Sequence, residues 1–97
     1  MKYIFDVDGT LTPSRQKIDP DFLIFFNSFA LANEVYLVTG SDKSQIIRDF
    51  MDGDVIFFGD RLDDHGNDKP LADAITNNNL GSVQPVTDWK DTWSKLK

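Results

Sequence analysis

The chain has no cysteine and one histidine, His65. The first absence excludes a disulfide framework, thiol nucleophiles and thiolate zinc sites. The second leaves imidazole chemistry to a single loop residue without an evident partner, which reads as a surface side chain. Positive charge is also scarce: 10 Lys and Arg against 16 Asp and Glu give a formal net charge of −6. So acidic a chain is poorly suited to neutralising backbone phosphates, which argues against a polynucleotide partner. No internal repeat, low-complexity tract or apolar run of membrane-spanning length is present. The start runs directly into an apolar strand pattern with no room for a signal peptide. A soluble cytoplasmic protein without a membrane partner is the expectation. At 97 residues, with 40% apolar content and 8 Phe, the chain suffices for one ordered domain over 1–97 with a modest core.

What is present is organised around Tyr3-Ile4-Phe5-Asp6-Val7-Asp8-Gly9-Thr10-Leu11-Thr12-Pro13. Tyr3 to Phe5, with Val7, read as a short buried strand, and Gly9 and Pro13 as the turn that follows. In an ideal strand, carboxylates at i and i+2 share a face. Two like charges so close repel, and burying them is costly unless a cation or a shared proton compensates. A magnesium-type hard cation with oxygen ligands is the natural remedy.

The remaining chain alternates. Asp19 reads as an N-cap and Pro20 as the first residue of a helix to about Leu31, with Phe22, Leu23, Phe25, Phe26, Phe29 and Ala30 on its apolar face. Val35 to Val38 is a second strand, ending in Thr39-Gly40-Ser41-Asp42. A helix over about 43–51 follows, capped by Ser41 or Asp42. Val55 to Phe58 is a third strand, ending in Gly59-Asp60, with a charged loop over 61–69. Pro70 opens a short helix that Asn77-Asn78-Asn79 breaks. Leu80 to Gln84 is a fourth strand, and Asp88 caps a last helix through Trp89, Trp93 and Leu96. These two Trp suit packing on a neighbour as well as on the core. Strand–helix alternation of this kind predicts an α/β fold: a small Rossmann-like three-layer sandwich with a parallel sheet and right-handed crossovers. Ligands in such sheets bind beyond the carboxyl ends of the strands. Asp6 and Asp8, Thr39 and Asp60 all stand at such ends.

Asp6-Val7-Asp8-Gly9-Thr10-Leu11-Thr12 resembles the first motif of the haloacid dehalogenase superfamily of phosphotransferases. Thr39-Gly40-Ser41 matches its second motif. Gly59-Asp60, with Asn67-Asp68 downstream, resembles its fourth. The stretches Tyr3 to Ile18, Val35 to Ile47 and Ile56 to Asp68 narrow the likeness to eukaryotic-type phosphomannomutases, with the tail from Gly81 to Trp93 fitting more loosely. The resemblance implies a nucleophile at Asp6, a general acid/base at Asp8, and a phosphoryl-binding hydroxyl at Thr39. It implies a Mg2+ site built from Asp6, the Asp8 carbonyl and Asp60, with Asp64 and Asn67 as further candidates. A solvated acidic loop accounts for Asp63 and Asp64 as readily. Arg15 becomes a substrate-phosphate contact, alongside Gly9, Thr10, Gly40 and Ser41.

Two departures follow. Only the short segment 42–54 lies where those mutases carry a large cap domain, which implies a minimal cap-less core. An uncovered site admits water to a phospho-aspartate and favours hydrolysis over transfer. The third motif's Lys or Arg has no direct counterpart, and Lys43, Lys69 and Arg61 are the candidate replacements. The expectation is a phosphomonoester hydrolase for a phosphorylated small molecule, or for an exposed phosphate on a larger substrate, with a second copy as a candidate cover. The rivals are an inactive or feeble phosphate- or metal-binding module, and a mutase-like phosphotransferase whose lid comes from a partner.

Overall fold

Three apolar runs and the segment expected as a fourth strand become four short strands in the computed structural model, which describes residues 2–13, 16–38, 53–60 and 69–97. They are β1 (Lys2–Asp6), β2 (Glu34–Val38), β3 (Val55–Gly59) and β4 (Gly81–Pro85). Among the described residues the helices are α1 (Pro20–Ala32), α2 (Lys69–Asn77) and α3 (Trp89–Leu96). The helix expected over 43–51, with its cap at Ser41 or Asp42, lies outside the described residues.

The strands form one parallel sheet in the order β2-β1-β3-β4. Alternation along each strand divides the apolar side chains between two faces. On one face Ile4, Val38, Val55 and Phe57 pack with Leu71, Ala72 and Ile75 of α2. On the other, Phe5 and Phe58 pack with Phe22 and Phe26 of α1, and Trp89, Trp93 and Leu96 of α3 close over them. The result is the three-layer Rossmann-like sandwich expected from the alternation. β1-α1-β2 and β3-α2-β4 move in opposite directions across the sheet with their helices on opposite faces, so the two crossovers share one hand. The chain therefore switches direction between β1 and β3, the place where open α/β sheets form a crevice at their strand ends.

Local chemistry fixes the element ends. The Asp19 carboxylate accepts hydrogen bonds from the N–H groups of Asp21 and Phe22, both at 3.1 Å, and Pro20 opens α1. Asn79 adopts a left-handed backbone, φ 55°, and with it α2 stops as the Leu80 N–H reaches the Ile75 carbonyl at 3.0 Å. At the start of β4, Gly81 lies so close to β3 that an added Cβ would run into the Val55 backbone.

One detail differs from the sequence reading, and one that the sequence left open is decided. Leu23 is 39% exposed, so the buried side of α1 is narrower than its Phe-rich pattern suggests, with Phe22 and Phe26 at its centre. Ile24 and Leu31 lie on its outer side, also exposed. The two Trp pack inward: Phe22 stacks on Trp89 at 5.8 Å and on Trp93 at 5.4 Å between ring centroids. Among the described residues no helix is long and apolar enough to cross a membrane.

Candidate functional site

β1 delivers its apolar residues to the two core faces and ends at Asp6, whose side chain is 5% exposed. The strand does not continue to Asp8. Val7 is the pivot: its carbonyl accepts from the N–H groups of Leu11 at 2.9 Å, Thr12 at 3.2 Å and Thr10 at 3.3 Å, and from the Thr12 hydroxyl at 3.4 Å. Val7 and Asp8 thus belong to a tight turn, and Asp8 is exposed. The shared strand face expected for the two carboxylates is replaced by a division of labour, one buried and one facing solvent. Turn hydrogen bonding outcompetes extension once Gly9 supplies φ +83°.

The turn is locked from both sides. Leu11 is 3% exposed and packs with Phe5 and Phe22, anchoring the loop in the core. The Gly9 N–H donates to the Thr12 carbonyl at 2.8 Å. Thr10 is fully buried, and its hydroxyl donates to Asp6 Oδ2 at 3.4 Å, a long hydrogen bond that limits the carboxylate's rotation. Gly9 meets the Asp60 side chain: a Cβ at Gly9 would stand 2.7 Å from Asp60 Cγ and would collide with its Oδ2. Asp60 follows β3, so its carboxylate closes over the first loop at the switch point between β1 and β3.

Asp6, Asp8, Gly9, Thr10 and Asp60 are thereby brought to one end of the sheet. Lys69 is the first residue of α2 and pairs with Asp73 at 2.9 Å. Arg15, Thr39, Gly40, Ser41, Lys43, Asp64 and Asn67 lie outside the described residues, as do Arg61, Asp63, His65 and Asp68. Among the described residues no group of three or more His, Asp or Glu side chains stands together as a metal cluster. Sequence reasoning missed the packing of Gly9 against Asp60, which depends on a contact between loops far apart in the chain. It also missed the Lys69–Asp73 pair, although the i,i+4 spacing was a readable signal.

A parallel, doubly wound sheet with acidic side chains at its switch point defines a Rossmann-like α/β protein with a strand-end polar site. Over 53 residues the chain is 45% identical to phosphomannomutase 1 from Mus musculus and, equally, to phosphomannomutase 1 from Homo sapiens. This is partial homology to a member of the haloacid dehalogenase superfamily. The matched stretch covers 55% of this chain and 20% of each relative, so the chain matches about a fifth of their length. No family model matches the chain. No solved structure matches it.

Proposed function

We propose that the chain hydrolyses phosphomonoesters with Mg2+ through an aspartyl phosphate on Asp6. The observation that carries this is the buried Asp6 at the end of β1, with Asp60 at the end of the neighbouring strand packed on the same loop. The 45% identity to phosphomannomutase 1 supports phosphoryl transfer as the reaction type.

The donor set fits a hard divalent cation. Asp6, the Asp8 main-chain carbonyl and Asp60 offer only oxygen, and Asp64 and Asn67 are further candidate donors. Bound there, the ion supplies positive charge that offsets the carboxylates and the phosphoryl oxygens. The rest of the chemistry belongs to the chain. An Asp6 oxygen bonds to phosphorus as the ester P–O bond breaks, and Asp8 protonates the departing alcohol. Asp8, now ionised, takes a proton from the water that attacks phosphorus, which releases phosphate and restores Asp6. The exposed turn position of Asp8 suits a group that must meet both a leaving group and water. Thr10 orients Asp6 through its hydroxyl. Thr39, Gly40, Ser41, Arg15 and one cation among Lys43, Lys69 and Arg61 complete the phosphoryl-binding set. The short 42–54 segment favours water as acceptor and a phosphorylated small molecule, or a phosphate presented on a larger substrate. A second copy covering the site belongs to the same proposal.

A second reading, phosphate binding without turnover, draws on Lys69. Its pairing with Asp73 offsets part of the charge that phosphoryl transfer needs. Turnover of p-nitrophenyl phosphate separates the two. Release of nitrophenol that requires Mg2+, stops on chelation and falls to background in Asp6→Asn is the expected result. Phosphate release that persists in Asp6→Asn contradicts the assignment. Metal-dependent phosphate binding without turnover favours the second reading.

A further inference from the structure

The two outer strands of the sheet are built differently. β4 carries Pro85 and begins with Gly81, residues that discourage a further strand. β2, Glu34-Val35-Tyr36-Leu37-Val38, has no Pro, Gly or Lys, and among the described residues its strand partner is β1. Along such an edge alternate N–H and C=O groups point outward, where an added strand takes them.

The surface beside this edge is apolar. Leu37 is in register with Phe5, hence on the face that carries α1, and it is 55% exposed. Val35, on the same face, is half-buried. The rings of α1 sit over β1 instead: Phe29 meets Tyr3 at 5.0 Å and Phe26 meets Phe5 at 5.2 Å. Phe25 turns toward α3, 6.1 Å from Trp93. Leu23 lies roughly 200° away from Phe25 around the helix, so its exposed side chain is on the flank toward β2. Although 27% of the chain is charged, only Asp21 and Glu34 are charged between Pro20 and Val38.

A second copy of β2 fits this edge better than an arbitrary strand. Antiparallel pairing about a two-fold axis at Tyr36 aligns all five residues of the strand. Glu34 then faces Val38, Val35 faces Leu37, and Tyr36 faces Tyr36 of the other copy. The single charge of the strand stands at its start, so this register keeps the two Glu34 side chains apart and spares a like-charge contact. The Val35 and Leu37 side chains of both copies join on the α1 face. A lone strand would leave that apolar floor open on its far side, whereas a second copy brings its own α1. With strands about 4.8 Å apart and each α1 over its own β1, the helix axes stand three spacings, roughly 14 Å, apart. Helices of about 10–12 Å diameter then enclose a narrow cleft, with a Leu23 on either wall.

We propose that β2 pairs with β2 of a second copy of this chain, antiparallel about Tyr36, joining the two sheets edge to edge. The strand-end sites of the two copies then face opposite ends of the joined sheet. This pairing is therefore separate from a copy that covers the site, and it does not rest on the proposed activity.

Sedimentation velocity of the full chain, from micromolar to millimolar concentration, tests the pairing. Conversion of monomer to dimer over this range is expected. Leu37→Lys should weaken the dimer at least about tenfold, because two ammonium groups enter the apolar cleft. Leu31→Lys, at a 90% exposed position on the side of α1 away from the sheet, should leave it unchanged. The register has its own readout, since the chain has no cysteine. On oxidation Tyr36→Cys should give a disulfide-linked dimer, because residues facing one another across antiparallel strands have Cα atoms about 4.5–5.5 Å apart, within disulfide reach. Glu34→Cys should not, because its two copies stand roughly 14 Å apart. Amide dispersion in 1H–15N spectra reports that each variant is folded, and Leu37→Gln serves should Leu37→Lys unfold the chain. A dimer indifferent to Leu37 substitution, or cross-linking at 34 as readily as at 36, overturns the proposal. So does a chain that stays monomeric at millimolar concentration, including one that takes up a synthetic peptide of the β2 sequence, since the edge then accepts a strand from another source.

Discussion

The two faces of the sheet are built from different materials. Against α2 the strands present aliphatic side chains around one ring, Phe57, with Ile4, Val55, Leu71 and Ile75 each essentially inaccessible. Against α1 and α3 they present rings: Tyr3, Phe5 and Phe58 meet Phe22, Phe26, Phe29 and the two Trp. Branched aliphatics fill a short interval between one helix and a sheet without gaps. Flat rings spanning two helices contact one another edge-on and stacked, and a slot opens between Phe29 of α1 and Lys95 and Leu96 of α3. The contrast separates the jobs of the two layers. The aliphatic face seats a single helix on the sheet, and the aromatic face anchors the first loop through Leu11 and carries the opening.

Truncations should expose this difference most strongly. Phe57→Ala should cost about 3–5 kcal/mol in urea or thermal unfolding, because a fully buried ring leaves a closed cavity. Phe29→Ala should cost clearly less, since that ring already borders open space. Equal losses from the two would erase the distinction between the faces. Next in size is Gly9→Ala, which combines a left-handed backbone with a collision at Asp60. It should destabilise by about 1–3 kcal/mol, and it should impair any activity of the strand-end site by more than the loss of folded protein explains. Asp19→Ala, which removes the cap of the helix on the aromatic face, should cost about 1 kcal/mol by the same unfolding measurements.

The smallest effect concerns pH. The hydrogen bond from Lys95, with a second from the Thr87 backbone N–H, holds the Asp91 carboxyl below its ordinary pKa. A depressed folded pKa stabilises the fold above the unfolded pKa and loses that contribution as pH falls through the folded value. Asp91→Asn should therefore lower the melting temperature slightly at neutral pH. The difference should shrink below about pH 4, near the ordinary carboxylate pKa. Both sides of the exchange are solvent-exposed, so added salt should diminish it further.

Much of this was legible from residues. Apolar runs that stop at Asp6 and Asp60 announce strand ends, and the Asp19-Pro20 and Asp88-Trp89 boundaries follow from capping chemistry alone. The alternation of strands and helices was enough for the parallel sheet. What the sequence concealed depends on contacts between distant segments. Asp8 leaves the strand because four hydrogen bonds converge on the Val7 carbonyl, a preference that strand periodicity does not register. Gly9 reads as a turn residue, but its lack of a side chain also makes room for Asp60. Gly81 falls within the strand expected over Leu80 to Gln84, but the sequence does not show that it opens β4 at a place where only glycine fits beside Val55. The inward stacking of Trp89 and Trp93 was undecided in sequence because an exposed aromatic pair and a buried one share the same spacing.

The central claim is that buried Asp6, and not exposed Asp8, forms the bond to phosphorus. Trapping tests it directly. The chain is mixed with p-nitrophenyl phosphate and Mg2+, quenched, and reduced with borohydride, which converts an aspartyl phosphate to homoserine, and the peptides are then mapped by mass spectrometry. Homoserine at position 6, absent without substrate and absent in Asp6→Asn, is the predicted result. Homoserine at position 8, or phosphate release with no trapped residue at 6, contradicts the account.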